Sequence, residues 1–182
     1  MRILVHICCG PCFTYPDKRL VEDGHDVTGF FYNPNIHPYS EFKNRKTSLE
    51  KYAKIRGAQI IYRNDYELER YLRGSLEAKD RCRFCYAERL RETAIAASSL
   101  GFDAFTSTLL ISPYQKHEML AAVGKEMADK YRIDFYYEDF RKGYKESRDL
   151  SRDLELYMQK YCGCIFSEKE RYFKHPPVPV PL

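Results

Sequence analysis

Apolar and polar positions along the chain alternate between two rhythms. β-branched and aromatic runs predict five short strands over 3–7, 27–32, 59–62, 104–107 and 133–137. Between them apolar residues recur at helical spacing, predicting helices over 12–23, 41–56, 84–100 and 115–130. Ala87, Leu90, Ala94 and Ala97 share one face of the third, and Met119, Val123 and Met127 one face of the fourth. Such alternation implies right-handed crossovers and a parallel sheet covered on both faces, which suits a first run broken only by His6. The expected architecture is therefore α/β: a doubly wound, five-stranded parallel sheet of Rossmann-like or nucleotide-hydrolase-like type. Segments 65–74 and 144–161 read as extra helices lying over the carboxyl edge, the second carrying Leu150, Leu154, Tyr157 and Tyr161 on one face.

Composition narrows this picture rather than redirecting it. The 182 residues are 44% hydrophobic and 31% charged, ordinary values for one globular domain, and no apolar run approaches the ~20 residues that cross a bilayer. The expected division is a single catalytic domain over 1–174 and a tail over 175–182 whose four prolines favour polyproline II. The net charge of +4 assists a polyanionic partner without diagnosing one. Cys8, Cys9 and Pro11 interrupt the N-terminal apolar run before a signal-peptide core forms, so a cytoplasmic, reducing location is expected.

In that compartment structural disulfides are rare, which makes seven cysteines in three groups the main chemical signal. Cys8, Cys9 and Cys12 follow the first strand, where open α/β sheets bind ligands. The loop has no phosphate-binding glycine pattern; thiols occupy its place. Cys82-Arg-Phe-Cys85 starts a helix, with two sulfurs expected side by side and facing outward, half of a tetrahedral site. Cys8 and Cys9 are natural donors of the other half, giving four thiolates for zinc or an iron–sulfur cluster. A zinc site of Cys9, Cys12, Cys82 and Cys85 is the structural alternative. Cys162-Gly-Cys164 can close a strained disulfide or present two ligands; as Cys-Gly-Cys it promises neither packing nor a helix cap. Cys9-Gly-Pro-Cys12 also matches the dithiol of thioredoxin-like oxidoreductases.

Weaker signals lie at other strand ends. Asp139, before Phe140 and Arg141, is a candidate proton donor or metal ligand. His37 sits in an Asn-Pro-Asn-Ile-His-Pro turn, and Thr106, Ser107 and Thr108 offer hydroxyls for substrate or for capping. Basic residues interleave with aromatics at Lys43, Arg45 and Lys46, at Arg81, Arg83 and Arg89, and at Arg141, Lys142, Lys145 and Arg148. Such mixtures suit a phosphate backbone with stacked, unpaired bases.

The ordered motifs His6-Ile-Cys-Cys-Gly-Pro-Cys12, Tyr32-Asn-Pro-Asn-Ile36, Cys82-Arg-Phe-Cys-Tyr86, Phe105-Thr-Ser-Thr-Leu-Leu-Ile-Ser-Pro-Tyr-Gln115, Asp139-Phe-Arg141 and Tyr161-Cys-Gly-Cys-Ile-Phe-Ser167 resemble the epoxyqueuosine reductase family QueH over residues 3–167. The resemblance implies two-electron reduction of epoxyqueuosine to queuosine at the wobble position of tRNA, the final step of queuosine synthesis, without cobalamin. It implies a [4Fe-4S] cluster on Cys8, Cys9, Cys82 and Cys85, a redox-active pair of Cys162 and Cys164, and Cys12 as a ligand of a second, mononuclear iron or an alternative cluster ligand. The partners implied are the tRNA anticodon loop and an electron donor that the sequence does not identify. The chain departs from the pattern at Met158, where arginine is expected before Gln159; the change touches one phosphate or substrate contact and no thiol. Two other function classes fit the same cysteines: a zinc-stabilised tRNA-binding module and a thiol–disulfide oxidoreductase.

Overall fold

A computed structural model describes residues 1–173; the proline-rich tail expected at 175–182 lies outside the described residues. β1 (Arg2–His6) buries every residue after Arg2, as its unbroken apolar run requires of a strand covered on both faces. It occupies the middle of the sheet. β2 (Asp26–Phe31) and β3 (Gln59–Tyr62) lie on one side and β4 (Ala104–Ser107) and β5 (Asp134–Phe135) on the other, in the order β3-β2-β1-β4-β5, all parallel. Val5 pairs with Gly29 of β2 and Thr106 of β4, so β1 and β4 end together.

Seven helices cover this sheet among the described residues: α1 (Gly10–Glu22), α2 (Tyr39–Arg56), α3 (Leu68–Glu77), α4 (Arg81–Ser99), α5 (His117–Tyr131), α6 (Tyr144–Asp153) and α7 (Ile165–Tyr172). Right-handed crossovers put α1 and α2 on one face and α4 and α5 on the other, and α1 packs on α2 while α4 packs on α5 and on β1. The doubly wound α/β expectation holds. α1 starts with Pro11 in its first turn, where a missing N–H costs nothing. α4 starts at Asp80, whose carboxylate accepts from the Cys82 and Arg83 amides at 2.8 and 3.0 Å.

The C-terminal half departs from expectation in three places. The fifth strand is two residues long rather than five: Tyr136 N–H makes a last bond to the Phe105 carbonyl at 2.9 Å, and beyond it the Tyr137 hydroxyl pairs with His117 at 3.0 Å. The helix expected over 144–161 stops at Asp153. Glu155 adopts a left-handed conformation (φ 50°) and Leu156 N–H returns to the Ser151 carbonyl, so 154–164 runs as an irregular strap over the carboxyl edge. α7 was not anticipated: it is eight residues long and none of them is fully buried, which leaves little apolar rhythm to read. No helix among the described residues is long and apolar enough to cross a membrane.

Candidate active site

Strand order reverses between β1 and β4, and the site forms just beyond their carboxyl ends. Cys8 and Cys9 leave β1 and Cys12 lies in the first turn of α1, so strand end and helix start force their sulfurs together. All three lie within 4.8 Å of one another, a group able to hold a metal ion. Cys8 and Cys9 Sγ are 3.7 Å apart. Thr108, just after β4, donates its hydroxyl to Cys8 Sγ at 3.5 Å and accepts the Cys8 amide at 3.2 Å. Gln159, on the strap, donates to Cys12 Sγ at 3.2 Å.

Electrostatics divide this trio. The Cys12 and Cys9 thiols donating to Cys8, with help from Arg45, hold Cys8 well below the usual thiol range. Burial pushes Cys9 up, and the hydrogen bond to Cys8 pushes Cys12 up. Of the three, Cys8 is the sulfur whose thiolate form is most favoured, and binding a metal requires the others to lose their protons.

Cys85 and Cys82 do not face outward as a matched pair. Cys82 is exposed at the start of α4, whereas Cys85 is buried one turn on, pushed up to about 11 by burial. Arg89 donates to Cys85 Sγ and to its carbonyl, both at 3.1 Å. Arg89 is 1% exposed, and among the described residues no carboxylate lies within 4 Å of it. Against burial, its charge is supported by Cys85, Cys162, the Tyr71 phenol and Cys8. Its direct sulfur contact is with Cys85, while Cys8 and Cys162 act on its charge from further off.

Arg45, also 1% exposed, ties the strap down. Its Nε pairs with Glu41 at 2.7 Å, while Nη2 and Nη1 donate to the Tyr161 and Cys162 carbonyls at 2.8 and 3.0 Å. The Tyr161 hydroxyl donates to the His37 carbonyl at 2.5 Å, and His37 N–H donates to the Gly163 carbonyl at 2.8 Å. Gly163 has φ 129°, a conformation for glycine, and a Cβ there would come within 3.1 Å of Arg45. Cys162 is exposed and accepts from Gln115 at 3.5 Å, and Gln115 is oriented by Tyr86 at 2.8 Å. Cys164 does cap a helix: its sulfur accepts from Ser167 N–H at 3.4 Å at the start of α7.

A cleft of about 520 Å³ opens over these groups, with Cys8, Cys12 and Cys162 in its walls. Met158, where arginine was expected, lines this cleft and the smaller one beside it. Asp139 does not line it. Arg141 holds that carboxyl at about 2, and its side chain caps the following 3₁₀ turn, Phe140–Gly143, at Arg141 N–H. Its placement is that of a cap and an ion pair, not of a group holding a proton at neutral pH. Ser107 likewise caps the turn Thr108–Ile111 at Leu109 N–H, and His37 is buried beside Tyr66 and Tyr71. Sequence reasoning missed the interior roles of Arg45 and Arg89, which it placed on basic surfaces. The signal available was their four-residue spacing from Glu41 and Cys85 on one helix face.

Comparison with known proteins gives this arrangement its relatives. The family model described as epoxyqueuosine reductase QueH matches residues 3–170. A Dehalococcoides mccartyi protein named epoxyqueuosine reductase QueH is 38% identical over 174 residues, covering 95% of this chain and 96% of the relative. One of that name from Thermotoga maritima is 35% identical, covering 95% and 93%. A solved Methanocaldococcus jannaschii chain, described as a predicted subunit of tRNA methyltransferase, shares the fold with TM-score 0.55 at 16% identity, over 84% of this chain and 74% of its own. With the family model and full-length relatives in agreement, the chain belongs to the epoxyqueuosine reductase QueH family.

Proposed function

We propose that this chain reduces epoxyqueuosine to queuosine at the wobble position of tRNA, in the cytoplasm and without cobalamin. A [4Fe-4S] cluster on Cys8, Cys9, Cys82 and Cys85 takes part, with Cys12 available to a further iron. The observation that carries the reading is Arg89: a buried guanidinium with no carboxylate within 4 Å among the described residues and its Nη2 on Cys85 Sγ at 3.1 Å. A buried cation needs an anion, and a cluster held by four thiolates supplies one. What supports the donor set is that Cys8 and Cys9 belong to a sulfur trio within 4.8 Å and that Cys85 is buried with its sulfur on Arg89.

Removing the epoxide oxygen takes two electrons and two protons, leaving a carbon–carbon double bond and water. When bound, the cluster supplies one-electron transfer at this position. Cys162 and Cys164 as a dithiol hold two electrons and two protons and release them on closing a disulfide, which the external electron donor must reopen. Arg45 fixes the backbone of Cys162, and Gln115 orients its sulfur toward the cleft.

The test is metal and sulfide content of protein purified without oxygen, together with conversion of epoxyqueuosine in tRNA followed by nucleoside mass spectrometry. About four irons and four sulfides per chain are expected, and Cys162→Ser/Cys164→Ser keeps that content while turnover stops. One zinc with no sulfide, or full turnover in the double variant, refutes the reading.

A further inference from the structure

The cleft walls carry an unusual balance of charge. Arg45, Arg148, Lys160 and Arg171 line it, and no aspartate or glutamate does, in a chain with 26 acidic residues. Arg45 is neutralised by Glu41 below the floor. Arg148, Lys160 and Arg171 are exposed at the rim, and among the described residues none has a carboxylate within 4 Å. The basic residues that the sequence placed nearby behave otherwise: Arg81 pairs with Glu170, Arg83 with Glu126, Arg141 with Asp139 and Lys142 with Glu138. Self-neutralised cations attract a polyanion weakly; the three free ones converge on the opening above Cys8 and Cys12. Tyr114 stands at that opening, 83% exposed and edge-on to Tyr144 at 6.2 Å, an aromatic face with nothing stacked on it.

We infer that Arg148, Lys160 and Arg171 form a docking rim for the backbone of an unpaired RNA segment, with the extruded base stacking on Tyr114 as it enters the cleft. This rests on the function proposed above and assigns the surface by which that substrate is held. Charge complementarity argues for phosphates. The 520 Å³ volume suits a nucleoside-sized group. A concave mouth reaching down to thiols admits a base taken out of its stack, not one inside a helix. An acidic protein segment would meet the same cations without needing Tyr114.

The experiment measures binding of an anticodon stem-loop RNA, with guanosine at the wobble position, to the full chain purified without oxygen, across a range of salt concentrations. Each phosphate contact on a single strand contributes about 0.7 to the slope of log affinity against log salt. The Arg148→Gln/Lys160→Gln/Arg171→Gln variant should therefore lose about 2 in slope and about 50-fold in affinity at ~0.15 M salt. Tyr114→Ala should weaken binding about 10-fold and Tyr114→Phe should restore it. Lys125→Gln and Lys142→Gln, away from the cleft, should stay within about twofold of wild type, since neither adds a phosphate contact. Thermal melting of each variant separates lost contacts from lost structure.

A wild-type slope in the triple variant, equal losses in the two control variants, or equal displacement of the RNA by oligoglutamate overturns the rim. A wild-type chain that binds RNA with these signatures but leaves epoxyqueuosine in tRNA unreduced refutes the proposed function and supports the rim. A chain that reduces it while the triple variant binds unchanged overturns the rim alone.

Discussion

Replacing Arg89 by methionine separates a guanidinium serving the fold from one serving an anion. Arg89 is 1% exposed and lies 3.1 Å from Cys85 Sγ with no carboxylate within 4 Å among the described residues. A full thiolate at that distance is worth about 5 kcal/mol at an effective dielectric near 20. After desolvation a charged hydrogen bond nets about 2 kcal/mol. Arg89→Met should therefore weaken iron retention about 30-fold, measured as release to a chelator under anaerobic conditions. The metal-free protein should respond the other way. Losing a buried cation that lacks a carboxylate, for a side chain of similar volume, should leave urea stability unchanged or raise it by about 1–4 kcal/mol. If the variant holds iron as wild type does while its metal-free form loses about 3–5 kcal/mol, the figure for a broken buried ion pair, Arg89 belongs to the fold and the reasoning fails.

His6, fully buried between Ser107 Oγ at 3.0 Å and the Tyr32 carbonyl at 3.2 Å, is held down at about 3 by burial. Its proton binds the unfolded chain first, so stability is complete above pH 6.5 and falls as pH drops toward 3, by at most about 1.4 kcal/mol per unit. His6→Gln should flatten urea stability across that window; parallel curves for variant and wild type would disprove the assignment. Asp139, depressed to about 2 by Arg141, stabilises the fold above its ordinary value near 3.8 and loses that effect as pH falls toward 2. Asp139→Asn should accordingly leave the pH profile of turnover between 5 and 8 unmoved, and a hundredfold loss of kcat would restore it as the proton donor. Gly163→Ala, forced into φ 129° against Arg45, should cut turnover more than tenfold while lowering Tm by only a few degrees; equal turnover in the variant would remove the strap geometry from the mechanism.

What the chain discloses by itself follows the range of the interaction that sets each feature. The apolar run of β1 had to be a central strand because both its faces needed cover, and the three cysteine groups were legible from spacing alone. A helix opening around Cys82 followed from the alanine-rich face behind it, and α4 begins at Arg81, capped by Asp80, which the sequence reading did not single out. Long-range contacts set the rest. Arg45 and Lys46 are neighbours in sequence, yet the strap buries one and leaves the other beside Tyr62. Arg148 and Arg141 look alike until Asp139 is seen to neutralise one of them. The end of α6 depends on a left-handed Glu155, a residue with no sequence mark for that conformation. Cys164 read as a redox group without structural duty, and sulfur capping α7 shows it serving the backbone as well.

The strap has a consequence in time. Cys12 and the Cys162 carbonyl held by Arg45 belong to opposite ends of the chain, 150 positions apart. At roughly 5–20 residues per second of synthesis, the first three thiols exist for about 8 to 30 s before the segment that closes over them has been made. During that interval the nascent protein offers an open sulfur trio on a strand whose partner β4 is itself still unmade for much of the time. Only when the Tyr161 and Cys162 carbonyls dock on Arg45 do Met158, Gln159 and Lys160 complete the walls of the cleft around Cys8 and Cys12.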